Sequence, residues 1–150
     1  MEFYRVPIAG GPTALLATVA GTNTAWSGLA TTPGGERVIY RTGPVGSSSF
    51  TGLYSEPVGG GTKLKLNDQL PSGGTIDYVE SSPDGQWDVY ISDQRVSDRI
   101  EIFSVPSGGG TVAVLNGPMQ VNGDVHPQTG RTIWGISRDS TRVVYRARQQ

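Results

Sequence analysis

Apolar residues in this chain come in short clusters of three to six, several of them alternating with polar ones, and each cluster is closed by glycine, proline, aspartate or serine. Lys63-Leu64-Lys65-Leu66 shows the period of two that marks a strand with one wet face. No segment sustains a 3.6-residue period over the ten or more positions that a helix requires. The pattern predicts an all-β chain of many short strands joined by tight turns.

The clusters recur. Phe3-Tyr4-Arg5-Val6-Pro7-Ile8-Ala9-Gly10-Gly11 returns as Leu53-Tyr54-Ser55-Glu56-Pro57-Val58-Gly59-Gly60-Gly61 and again as Ile102-Phe103-Ser104-Val105-Pro106-Ser107-Gly108-Gly109-Gly110. A second element, Arg37-Val38-Ile39-Tyr40-Arg41, returns as Trp87-Asp88-Val89-Tyr90-Ile91 and Arg142-Val143-Val144-Tyr145-Arg146. A turn precedes each tyrosine cluster: Thr32-Pro33-Gly34-Gly35, Ser82-Pro83-Asp84-Gly85 and Ser137-Arg138-Asp139-Ser140. Proline presets φ there, Asp caps the turn, and Gly accepts a positive φ. Each repeat of about 50 residues thus carries four strands, A before the turn, B with the tyrosine, C with the proline and D after the glycines. Four strands per repeat of that length is the blade of a β-propeller. The last copy is five residues longer, and the excess is expected in the connection holding Gly123 to Thr132.

The chain divides into residues 2–18 with strands C and D, complete blades over 25–67 and 76–116, and residues 131–149 with strands A and B. Three blades' worth of strands is present, one blade being split between the two ends. Propellers have roughly four to eight blades, and an unpaired sheet edge invites another strand. The ring is therefore expected to close by oligomerisation, the C–D pair of one chain completing the A–B pair of another. A homodimer gives six blades; a homotrimer gives nine, and the alternative of a fragment whose remaining blades lie in a longer parent stays open.

Ser82-Pro83-Asp84-Gly85-Gln86-Trp87-Asp88-Val89-Tyr90-Ile91-Ser92-Asp93, followed by Glu101-Ile102-Phe103-Ser104-Val105 and Gly108-Gly109-Gly110-Thr111, resembles the WD40-like PD40 repeat of the TolB-like β-propellers. The other two copies depart from the Ser-Pro-Asp-Gly core, reading Thr-Pro-Gly-Gly and Ser-Arg-Asp-Ser. The resemblance implies a propeller scaffold. It also implies a periplasmic or extracellular setting, although no signal peptide is visible in this chain. Such repeats occur in accessory proteins and in the lids of prolyl-oligopeptidase-like enzymes, so function does not follow from them.

Composition narrows the chemistry. The chain has 150 residues with 22 glycines and 10 prolines, and its net charge is -1 without a basic block. Nucleic acid and membrane insertion are poor partners for such a surface. Cysteine is absent, which removes disulfides, thiolate metal sites and a thiol nucleophile. His126 is the only histidine. With Asp124 as its sole local companion it makes a metal site improbable, and it leaves a serine triad without context, since no Gly-x-Ser-x-Gly elbow occurs. The glycine triplets lack the Lys-Ser/Thr of a phosphate cradle and read as hairpin turns.

No cofactor and no catalysis are expected. The leading function is a binding or interaction module, with a protein, a peptide or a small polar ligand as partner beside the chain itself. A purely structural ring, natural relic or laboratory design, and an accessory fragment of a TolB-like or prolyl-oligopeptidase-like protein are the alternatives. Strands alternate in direction, so the D–A and B–C connections share a rim, and binding residues concentrate on such loops. The candidates are Asp68, Arg99 and His126 on that rim, and Trp26, Tyr78 and Trp134 on or beside the A strands that line the channel.

Overall fold

The computed structural model describes residues 2–18, 23–125 and 134–149, with only the backbone of residues 17 and 23–28. Twelve strands run through the described residues. They are β1 (Glu2–Arg5), β2 (Ala14–Thr18), β3 (Asn23–Thr31), β4 (Arg37–Pro44), β5 (Gly52–Pro57), β6 (Leu64–Lys65), β7 (Ile76–Ser81), β8 (Trp87–Ser92), β9 (Glu101–Pro106), β10 (Ala113–Val114), β11 (Trp134–Ile136) and β12 (Val143–Tyr145). Strands β3 to β6 form one four-stranded sheet and β7 to β10 another, each an antiparallel meander in chain order. Two-stranded sheets, β1–β2 and β11–β12, flank them.

The alternation of side chains on these strands gives every sheet two apolar faces, and the sheets stack in chain order. Phe3 on β1 packs on Val38 and Tyr40 of the first full blade. Ile39, Leu53 and Leu66 of that blade pack on Tyr90, Phe103 and Val105 of the second. Val89, Ile91 and Ile102 of the second pack on Trp134, Val143 and Tyr145. The B-strand tyrosines are pillars of this arrangement: Tyr40 stacks on Tyr54 at 5.7 Å and Tyr90 on Phe103 at 5.4 Å, each pair directly opposite across β4–β5 or β8–β9. A polar seam also crosses the interface between the two full blades. Arg37 Nε donates to Ser55 Oγ, Ser55 Oγ to the Ser107 carbonyl, and buried Asp88 accepts from Ser81 Oγ. Burial raises the Asp88 pKa, and the Ser81 hydrogen bond and the Arg37 charge work against the rise.

The outer strands β6 and β10 are only two residues long, shorter than the apolar pattern predicts. An asparagine explains each. Leu66 N still donates to Leu53 O, but the next ladder bond is made by a side chain, Leu53 N to Asn67 Oδ1 at 2.9 Å. Leu115 and Asn116 repeat both bonds on Ile102, again at 2.9 Å. The first copy has Ala17 at this position, and there β2 runs on, pairing Ala17 with Phe3 and Thr18 with Glu2.

The turns follow the same economy. Ser82 Oγ donates to Asp84 Oδ1 and accepts from Trp87 N. Ser137 does the same with Asp139 and Arg142, so the Ser-Arg-Asp-Ser turn keeps the hydrogen bonding of Ser-Pro-Asp-Gly. In the C–D turn, Gly109 has φ +85° and donates to Pro106 O, and a Cβ there would lie 3.2 Å from Leu64 of the preceding blade. Gly109→Ala is expected to cost roughly 1–2 kcal/mol, whereas Gly108→Ala, with open space around it, costs under about 0.5. Urea denaturation of the two variants checks the contrast.

Candidate functional site

The first strand of each blade is irregular at one recurrent place, opposite or beside the B-strand tyrosine. In the first blade Ser27 pairs with Arg41 and Ala30 with Ile39, so one residue is extra. In the second, Asp77 pairs with Ile91 and Val79 with Tyr90, leaving Tyr78 as a bulge at φ +36°. In the third, Val125 bridges Ala147 and Trp134 pairs with Tyr145, two positions apart on the partner strand. Residues 126–133 stand between them. The sequence reading expected the long copy's extra residues in the connection before the first strand. Val125 N is bonded to Ile100 O at the start of that stretch, and residues 126–133 lie outside the described residues. His126, expected on the rim, lies outside the described residues.

Tyr78 is half exposed and meets buried Trp134 edge-on, with ring centroids 6.5 Å apart. These two candidates are brought together. Trp26, at the corresponding stretch of β3, pairs with Thr42 through its backbone, and its side chain lies outside the described residues. Beside Tyr78 the sequence reading missed a charged group. Arg41 is buried, its guanidinium lies 4.5 Å over the Phe50 ring, and Nη1 donates to Ile76 O at 3.1 Å. Burial lowers its pKa, while the charge of Asp77 supports it. The Asp77 carboxyl is raised above the ordinary carboxylate range by burial, held down in part by Arg41, and pushed up again by nearby Asp93. Arg41 follows the conspicuous tyrosine directly, which is the signal that could have found it; its place in the second repeat is taken by Ile91.

The D–A and B–C connections do meet, one cleft per blade. In the first blade Pro44, Ser49 and Thr51 face Gln69, Leu70 and Pro71 around a space of about 540 Å³. In the second Asp98 and Arg99 face Gln120, Asn122 and Asp124 around about 390 Å³. Aspartates fix these loops. Asp93 accepts from Thr75 N at 2.6 Å and from Asp98 N at 3.2 Å, and Asp124 accepts from Ile100 N at 3.0 Å. Asp98 and Asn122 both adopt positive φ, which short polar side chains tolerate. Arg99 therefore lines the second cleft, while Asp68 is exposed on the first blade's loop, and the two are not brought together. Asn67 Oδ1 accepts from Leu53 N while its Nδ2 donates to Thr51 O and Asp68 O, and Asn116 Oδ1 accepts from Ile102 N while its Nδ2 donates to Glu101 Oε1 and Gly117 O, so both amides are occupied.

Among the described residues no cluster of three or more histidine or carboxylate side chains could hold a metal, and no helix is long and apolar enough to cross a membrane.

No protein-family model matches the chain, and no curated protein matches it. A solved structure does: a chain assigned as TolB from Agrobacterium tumefaciens superposes over 95% of this chain with a TM-score of 0.53 at 19% sequence identity. This chain spans 55% of the length of that one. Four-stranded antiparallel blades, the sheet stacking in chain order and this superposition together give the chain the fold of a segment of a TolB-like β-propeller.

Proposed function

We propose that the chain is a non-catalytic propeller segment that closes its ring by self-assembly, two copies giving six blades, and that serves as a binding or interaction module. One observation carries the assembly. The sheets β1–β2 and β11–β12 hold complementary halves of a blade, yet among the described residues each sheet has two strands, and exposed Tyr4, Val6 and Val144 stand along their open edges. Strands end an open edge by pairing, and a head-to-tail contact of this kind closes when its rotation permits. A trimer of nine blades follows the same logic but exceeds the usual blade number.

The binding role rests on the bulged first strands, where Tyr78, Trp134 and the Arg41–Asp77 pair gather on the side a propeller turns to its channel, and on the two rim clefts. Such a mixture of aromatic and polar groups suits a peptide or a small polar ligand. Light scattering over a range of concentrations checks the assembly, and a mass of twice the chain is expected. A constant single-chain mass overturns it. A thermal-shift screen of peptides and polar metabolites checks the binding, since a ligand raises the melting temperature by mass action.

A further inference from the structure

Two hydrophobic clusters are copies of one another, and the second is incomplete. Between the full blades, Ile39, Leu53, Leu66, Ile76, Tyr90, Phe103 and Val105 pack together. One repeat later Val89, Ile102, Leu115, Val125 and Tyr145 occupy the positions of the first five. The places of Phe103 and Val105 are empty, because the sheet β11–β12 has no third strand. A cavity of about 260 Å³ lies there, walled by Val89, Ser104, Leu115, Val143 and Tyr145. Counting back from the repeat prolines Pro106 and Pro7, the counterparts of Phe103 and Val105 are Tyr4 and Val6. Tyr4 on β1 and Val6 just beyond it are 60% and 55% exposed, at the far end of the same chain.

Resting on the ring reading above, we propose that Tyr4 and Val6 of a second copy of the chain fill this cavity, β1 pairing antiparallel with β12 so that Tyr4 lies opposite Tyr145. The register is the one both complete blades use. Tyr54 lies opposite Tyr40 and Phe103 opposite Tyr90, with ring planes inclined by 25° and 23°. It sets Arg5 opposite Val144 and Phe3 opposite Arg146. A slip by one residue would turn Tyr4 and Val6 to the wrong face, and a slip by two would part the tyrosines. The same register accounts for Val144, 75% exposed at the position where Ile39 and Val89 are buried. In the composite blade it comes against the aromatic face made by Tyr40 of the partner subunit. Each interface thus removes three of the chain's exposed apolar side chains from water, which is the occupant's driving force.

The absence of cysteine makes the register directly testable, because introduced thiols are the only ones. In β5, Leu53 turns its N–H and carbonyl toward β6, so its pair with Arg41 is not hydrogen bonded, and by alternation neither is the pair Ile39–Ser55. Arg5 and Val144 hold the corresponding close pair. The double variant Arg5→Cys/Val144→Cys, oxidised at micromolar concentration, is expected to run as a covalent dimer on a non-reducing gel. Pro7→Cys/Val144→Cys, which reports a slip by two, is expected to cross-link at least about tenfold less. Tyr4→Ala should weaken self-association at least about a hundredfold by light scattering, and Tyr4→Phe should preserve it, since Phe103 fills the same place in the second blade. A dimer that forms without the in-register disulfide, or that prefers the slipped pair, overturns the register and leaves the ring. A single-chain mass without cross-linking overturns both, as it would if the cavity were filled by another segment of a longer polypeptide.

Discussion

Replacing Tyr90 with alanine is expected to destabilise the protein by about 3–5 kcal/mol, enough to unfold most domains of this size at room temperature. Tyr90 is fully buried at the centre of the second blade, stacked on Phe103 and packed under Ile39 and Leu53 of the first. Truncation would lose that burial and leave a cavity which the flanking sheets, pinned by their ladders, cannot close. Its hydroxyl donates to Gln94 Oε1 at 3.0 Å, so Tyr90→Phe removes only that bond and costs about 1 kcal/mol. Trp87→Ala, three residues away on the same strand but 42% exposed, costs less than about 1.5. Urea denaturation followed by tryptophan fluorescence or circular dichroism separates the three, and an equal effect of Tyr90→Ala and Trp87→Ala would contradict the packing described here.

Arg41→Ala is the second large effect, roughly 3 kcal/mol near neutral pH. The guanidinium bridges the two full blades, lying over Phe50 and bonded to Ile76 O, and it is the charge that offsets the burial of Asp77. Without it Asp77 faces Asp93 with no cation to favour its ionised form, and its pKa, already raised, climbs further. A carboxyl whose folded pKa lies above its unfolded value binds its proton more tightly in the folded state. Folding is then favoured most at low pH, and stability is lost as the pH rises through the folded pKa. The deficit of Arg41→Ala relative to wild type should therefore be small near pH 4 and grow toward pH 7, and Asp77→Asn in the same chain should recover part of it. A deficit independent of pH would mean that Arg41 acts through packing alone.

The repeat made the blades legible. A proline three residues after an apolar pair, and a tyrosine in the cluster before it, mark strands C and B wherever they occur, because one motif meets one environment in each copy. The length of the outer strands was not legible: the apolar alternation at Lys63 to Leu66 continues through Leu66, and only a three-dimensional partner reveals that Asn67 replaces the next backbone group. The candidate aromatics were located by strand position, which is why Tyr78 and Trp134 converge. The charged pair beside them was missed, because Arg41 and Asp77 lie on different blades, about 35 residues apart in the chain, and Ile91 stands at the place of Arg41 in the blade that carries Asp77.

The two-residue outer strands have a bearing on edge-to-edge aggregation of an all-β chain. Amyloid-like growth starts from an edge that offers several unpaired amides in a row, and β6 and β10 offer almost none, with Lys65 in the first and Lys63 just before it. Asn67 and Asn116, by capping the ladder after two residues, act as gatekeepers against lateral growth as much as they shape a turn.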